Sequence, residues 1–456
     1  ILVRILTKEE YGVFAAVFAL FEIIKLVSYG GLFDSVRKKV AETATEREQT
    51  NVVSTGYALS IVYGIAGTGA AYLIAITLVG SPQSQLLILF AASLIGMNLY
   101  QVSRSAFHGR QQEQFAMVLD VVQRLVYLVA GAGLALVYSV SGVVVGYVLS
   151  AYVTAAVGAV YVKRKFGQLI PNPTSVRTNA TQIMRFGAAQ LVGGVSAILL
   201  YKTDILLINH LKTATDTASY QAAIIPAEFV WFIPGSVQLV VLQNVAANWT
   251  KGDLERINSN LSEAMKWTCL TLMLIGIGIF GLAEQFVTVY YGSAYADSAG
   301  PLRILLIGTF LFGIARVFVP ALQATGWVVY TESVTVIALL INIVLNLLLI
   351  PEYGIQGAAV ATSLSYGLVL VGGLIVWSRT DMTFGSWNFF GRAFLAAVLF
   401  GVSYMQVIEL LSLPPVQMLV LCPPIGLVLF ALAATLSGAL TRRDYQRIWS
   451  VVRSRL

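Results

Sequence analysis

Residues 190–211 read QLVGGVSAILLYKTDILLINHL, and this stretch decides the class of fold. A helix rising 1.5 Å per residue needs about 20 apolar residues to cross the roughly 30 Å hydrocarbon layer of a bilayer. The stretch meets that requirement, yet it carries Lys202 and Asp204 inside the span. A charge at membrane depth costs at least about 2–3 kcal/mol, so both groups should face a bundle interior or a wet cavity. Two residues apart on a helix, they point in different directions and need different partners or a shared cavity.

The rest of the chain has the same character. Hydrophobic residues make up 57% and charged residues 11%, with a mean hydropathy of +0.79. Soluble domains carry about a quarter charged residues, so the expected class is an all-α polytopic membrane protein. The apolar runs are continuous, which excludes the alternating strands of a membrane barrel. The net charge of +7 sits in no basic soluble domain, so nucleic acid is not an expected partner. The Gly-rich runs (Gly64, Gly67, Gly69; Gly131, Gly133) read as close helix packing and not as a phosphate loop, so ATP is not indicated. Cys269 and Cys422 both fall in apolar spans, and no disulfide framework is expected.

Thirteen apolar runs of span length lie between residues 11 and 438. Every second connection is basic: Arg37–Arg47, Arg110, Lys163–Arg185, Lys251–Arg256, Arg379, and the tail from Arg442 to Arg455. The alternate connections, at 81–85, 139–142, 292–300 and 351–354, lack positive charge. The positive-inside rule places the basic loops and the C-terminus in the cytoplasm of a cell membrane, with Ser293 and Ser412 outside.

The two halves echo each other. Tyr138 and Gly142 stand to Tyr353 and Gly357 at one offset, 215 residues, with similar apolar runs following. The spans agree in order and orientation, which predicts a parallel repeat of six-helix halves about an axis along the membrane normal. Expected domains are residues 1–165, residues 166–380, and a final helix pair with a basic tail over 381–456. Tyr220 follows a full span, whereas Tyr11 follows only ten residues. A first span is therefore expected to precede Ile1, giving fourteen in all.

Several stretches carry a family resemblance. RILTKEEYGVFA (4–15) resembles the run that follows the first helix of oligosaccharide-lipid flippases, with Thr7-Lys8 where that family usually has Gly-Pro. YKTDILLINHL (201–211), PLRILLIGTFLFGIARVFVPALQATG (301–326) and NIVLNLLLIPEYGIQGAAVATSLSY (342–366) are similar to the same family. It is the polysaccharide-transport branch of the multidrug/oligosaccharidyl-lipid/polysaccharide exporter superfamily. The resemblance implies two six-helix lobes around a central cavity, alternating access, and export of a lipid-linked oligosaccharide on a polyprenyl phosphate or diphosphate. Membrane lipid and other polysaccharide-assembly membrane proteins are expected partners, and neither an enzymatic step nor a bound cofactor is expected.

Such a substrate needs cations in a hydrated cavity, Arg through its bidentate fork and Lys as a point charge. The candidates are Lys25, Lys202, Arg316, Arg124 and Arg303. Local pairs Glu22–Lys25 and Asp120–Arg124 are the competing structural explanation for two of them. Lys25 and Lys202 are expected to bridge one phosphate. Glu228 lies between Pro226 and Pro234, in a helix that loses backbone donors. With Asp204 it is the candidate for coupling to a Na+ or H+ gradient. The alternative function is a cation-coupled multidrug antiporter of the same superfamily. A membrane glycosyltransferase or polymerase would need a long loop with acidic or His residues, whereas His108 and His210 stand near opposite faces.

Overall fold

The computed structural model describes residues 2–167 and 173–453. Among them there is no strand, and the chain divides into two compact units, Ile1–Ala218 and Ser219–Leu456. The division falls after the stretch at 190–211, whereas the sequence reading places it near residue 165. The cause is packing: the helix over Pro173–Leu211 lies against the first unit's own helices.

The first unit opens with a single turn, α1 (Leu2–Ile5), followed by α2 (Lys8–Tyr29), α3 (Leu32–Glu42) and α4 (Glu46–Thr77). Then come α5 (Gln83–Ala91), α6 (Leu94–Gly109), α7 (Glu113–Phe166) and α8 (Pro173–Leu211). Thr7, the departure from the family pattern, starts α2. Its hydroxyl accepts the Glu10 N–H at 3.2 Å while the Glu10 carboxylate accepts the Thr7 N–H at 2.9 Å. This reciprocal cap satisfies two backbone donors that a helix start leaves open. Gly30 and Gly31, both at positive φ, break the path between α2 and α3.

With 54 residues, α7 is far too long for one crossing. At Ser139 (φ 50°, ψ −132°) it reverses and packs on itself. A Cβ added to Gly146 would lie 2.4 Å from the Gly131 Cα, so only glycines allow this approach of the two arms. Gly64 and Gly67 likewise face a neighbouring helix closely, as expected, whereas Gly69 and Gly133 face open space. Ser139 is held in its unfavourable conformation by donating its hydroxyl to Glu10 Oε1 at 2.5 Å.

The second unit repeats this order. It takes up α9 (Ala214–Phe229), which crosses the division, and continues with α10 (Phe232–Trp249), α11 (Leu254–Gly281) and α12 (Ala283–Tyr290). Next are α13 (Ala299–Ala324) and α14 (Val328–Trp377). The reversal inside α14 falls at Gly354 (φ 57°, ψ −136°), in nearly the conformation of Ser139 and 215 residues beyond it. The 215-residue offset read from the sequence is thus the spacing of two equivalent helix reversals. Asn342 donates to Thr362 at 3.4 Å across this second hairpin, and Asn346 donates to Asn342 at 3.0 Å, one turn away on the same arm.

The final pair, α15 (Trp387–Leu411) and α16 (Pro415–Leu436), packs on α11 through Leu270, Phe400, Tyr404, Cys422 and Phe430. The chain then turns into α17 (Arg442–Arg453), where Asp444 meets Lys266 of α11 at 2.6 Å. Burial pushes the Asp444 carboxyl up, but hydrogen bonds from Lys266 and Thr441 outweigh it and hold it below the ordinary carboxylate range. A lowered value means that the contact is intact at neutral pH and is lost only as pH falls through that value.

Among the described residues, eight helices are long and apolar enough to cross a membrane, or eleven when each bent pair counts as one span. Counting the two hairpins α7 and α14 as two spans each raises the number to thirteen, as the sequence predicts. The protein is a multi-pass membrane protein.

Candidate functional site

Lys25 in the first unit and Arg316 in the second each lie over two or more aromatic rings, and the two cations differ in how they are neutralised. In the first unit Lys25 lies on α2 less than two turns before the break at Gly30. Its ammonium pairs with Glu22 and donates to the Tyr147 hydroxyl at 3.3 Å. The rings of Phe18, Phe21 and Tyr147 stand 5.7–5.9 Å from it, close enough for cation–π attraction. Side-chain exposure is 15% for Lys25 and 22% for Glu22, so water contributes little to balancing either charge.

The neighbouring charges pair across the fold. Asp120 bonds Arg104 at 3.0 Å and accepts from the Tyr100 hydroxyl. It does not pair with Arg124, which points outward and is exposed. Arg104 and Tyr100 escape a reading of the sequence because α6 must pack on α7 before they meet Asp120.

Lys202 is half-buried on α8 and makes no ion pair among the described residues. Asp204 is fully buried and its carboxylate accepts the Ile205 N–H at 2.8 Å. Gly194 of α8 faces Leu26 of α2, and Lys202 lies eight residues further along α8.

In the second unit Arg316 of α13 lies over the rings of Trp231 and Phe312, at 5.4 and 5.9 Å from their centroids. Its Nε donates to Gln238 Oε1 at 3.2 Å. Trp231 is fixed in turn by donating to the Thr309 carbonyl at 2.9 Å and by ring contact with Tyr366 at 5.3 Å. No carboxylate pairs with Arg316 among the described residues. Its guanidinium is oriented and only partly exposed, and its charge is not neutralised, which suits an anion. Arg303, nearer the start of α13, donates to the Phe280 carbonyl at 3.3 Å.

Glu228 lies two residues before the break between α9 and α10, where the path bends by 47°. Lys25 and Glu228 thus occupy similar places, each shortly before the break in the broken span of its repeat. A broken span frees backbone carbonyls beside a charged side chain, the usual setting of a transporter's ion or substrate site. A cavity of about 740 Å³ in the first unit is lined by Glu9, Glu10, Gln85, Tyr138 and Ser139 among others. Its charged lining is acidic, so the cations needed for an anionic ligand lie elsewhere.

Comparison with known proteins decides the family. The profile described as polysaccharide biosynthesis protein matches residues 1–300. The chain belongs to that family. A second profile, lipid II flippase MurJ, matches residues 230–420. A protein named as a low-salt glycan biosynthesis flippase, Agl15 of Haloferax volcanii, is 22% identical over 80% of this chain and 76% of its own. A protein named as an O-antigen transporter of Shigella flexneri is 24% identical over 84% and 92%. Among solved structures, the inward closed form of lipid II flippase MurJ superposes with a TM-score of 0.75 at 16% identity, covering 96% of this chain and 94% of that one. An inward-facing multidrug transporter of the same superfamily gives 0.70 at 16% identity, over 83% and 94%. These likenesses establish the transporter fold.

Proposed function

We propose that the protein is a flippase that carries a lipid-linked oligosaccharide, on a polyprenyl phosphate or diphosphate, across the cell membrane by alternating access. The family membership and the names of its relatives support this reading. Arg316 carries it: a cation over the rings of Trp231 and Phe312, tied to Gln238 and without a carboxylate partner among the described residues, is prepared for a phosphate. Lys202 in the first unit is half-buried and likewise pairs with no carboxylate among the described residues. Lys25, matched to Glu22, serves the fold more than the substrate. The anion is held by charge and hydrogen bonds without any covalent step, so no catalytic residue is assigned.

Glu228 and Asp204 are the carboxylates we assign to coupling with a Na+ or H+ gradient. The basic connections and the tail after Arg442 place the C-terminus in the cytoplasm by the positive-inside rule. Lipid-linked oligosaccharide and membrane lipid are the partners, together with the membrane proteins that polymerise and export the chain.

The alternative is a cation-coupled multidrug antiporter, which the multidrug transporter's likeness supports at the level of fold. A cavity for cationic drugs needs unpaired carboxylates, whereas Arg316 and Lys202 are cations that pair with no carboxylate among the described residues. Expression in a strain lacking its own oligosaccharide-lipid flippase separates the two. Restored surface polysaccharide is expected. Restored tolerance to cationic dyes without polysaccharide would overturn the proposal.

A further inference from the structure

The last helix, α17, has the sequence RRDYQRIWSVVR and is the most amphipathic element of the chain. Two ion pairs tether it to α11: Asp444 to Lys266 at 2.6 Å, and Arg447 to Glu263. Tyr445 fixes its depth. The tyrosine hydroxyl lies 2.6 Å from Thr435 Oγ1 and donates to the Ala431 carbonyl at 3.3 Å, both in the last turns of α16. Ala431 lies five residues before the end of a candidate membrane span, so α17 folds back beside that span's end. A helix extending away into the aqueous phase could not make these contacts.

Trp449 follows Tyr445 by one turn on the same side of α17 and is 69% exposed. Helical spacing places Arg442 and Arg453 seven residues before and four after Trp449, on the same side. Both arginines are exposed, and neither makes an ion pair among the described residues. A tryptophan one turn from a tyrosine held at the end of a span, with arginines on its side that pair with no carboxylate among the described residues, combines an apolar anchor with charge.

We propose that α17 lies in the membrane interface and binds anionic phospholipid headgroups through Arg442 and Arg453, with Trp449 inserted between the lipids. Arg447 is committed to Glu263 and takes no part. The surface belongs to the lipid of the leaflet on the C-terminal side and does not depend on which substrate the protein carries.

Hydrogen exchange of the 442–453 amides tests this, with the whole protein in nanodiscs of phosphatidylcholine alone or with phosphatidylglycerol added. Exchange in this segment is expected to slow by roughly ten- to a hundredfold in the anionic discs, since each arginine near such a surface contributes a few-fold. Raising the salt concentration should erase most of the difference. Arg442→Gln with Arg453→Gln should abolish it, while Arg442→Lys with Arg453→Lys should keep it. Equal exchange in both lipids would overturn the proposal, as would a difference that survives the glutamine pair. Protection that arises only on adding a soluble protein fraction would also overturn it, assigning the surface to a protein partner.

Discussion

Lys25→Ala is expected to remove most of the folded protein from the membrane. The substitution leaves the Glu22 carboxylate among Phe18, Phe21 and Tyr147 with no countercharge. Breaking a buried pair in this way costs about 3–5 kcal/mol, against a total stability of about 5–15 kcal/mol for a typical protein. Replacing both partners removes both charges, and such exchanges are often neutral. Glu22→Gln with Lys25→Met should therefore return the protein to near its normal amount. Quantitative immunoblotting of membranes distinguishes the two variants. If Lys25→Ala accumulates normally, the pair is not structural. If the double variant accumulates normally yet exports nothing, Lys25 is part of the substrate site.

Arg316→Ala is expected to have the opposite signature, a normal amount of protein and little export. The guanidinium leaves no carboxylate unpaired when it is removed, so the cost to the fold is confined to its contacts with Trp231, Phe312 and Gln238. A charge-assisted hydrogen bond to the substrate contributes about 1.5–3 kcal/mol, so export should fall roughly ten- to a hundredfold by the ordinary conversion. Arg316→Lys should retain part of the activity, since charge survives while the planar fork is lost. Export unchanged in Arg316→Ala, measured as surface polysaccharide per unit of protein, would move the anion site to Lys202 or Arg303.

Much of the fold can be read in the residues because bilayer thickness sets helix length and buried polar groups mark contacts. The thirteen spans follow from apolar runs alone, and the YSVSG and YGIQG segments mark the two reversals because each interrupts a run too long for one crossing. The break between α9 and α10 falls between Pro226 and Pro234, the two prolines that take backbone donors from that span. The partners of the charges are less visible. A spacing of four residues suggests Asp120–Arg124, but helix packing gives Asp120 to Arg104 and Tyr100. The aromatic surround of Arg316 draws on the α9–α10 break, α13 and α14, which are far apart in sequence. The unit boundary was hidden for a similar reason: α8 resembles the opening of a second half, yet its face packs on α2, α3 and α4.

The central claim is that the protein moves an anionic lipid-linked saccharide from one leaflet to the other. Purified protein in liposomes containing a polyprenyl-diphosphate oligosaccharide tests it most directly, with an impermeant glycosidase added outside to read accessibility. The account predicts that wild-type protein exposes the saccharides initially in the inner leaflet, while Arg316→Ala leaves them protected as in protein-free liposomes. Equal protection with wild-type protein and with none, in vesicles that do expel a cationic dye, would contradict it.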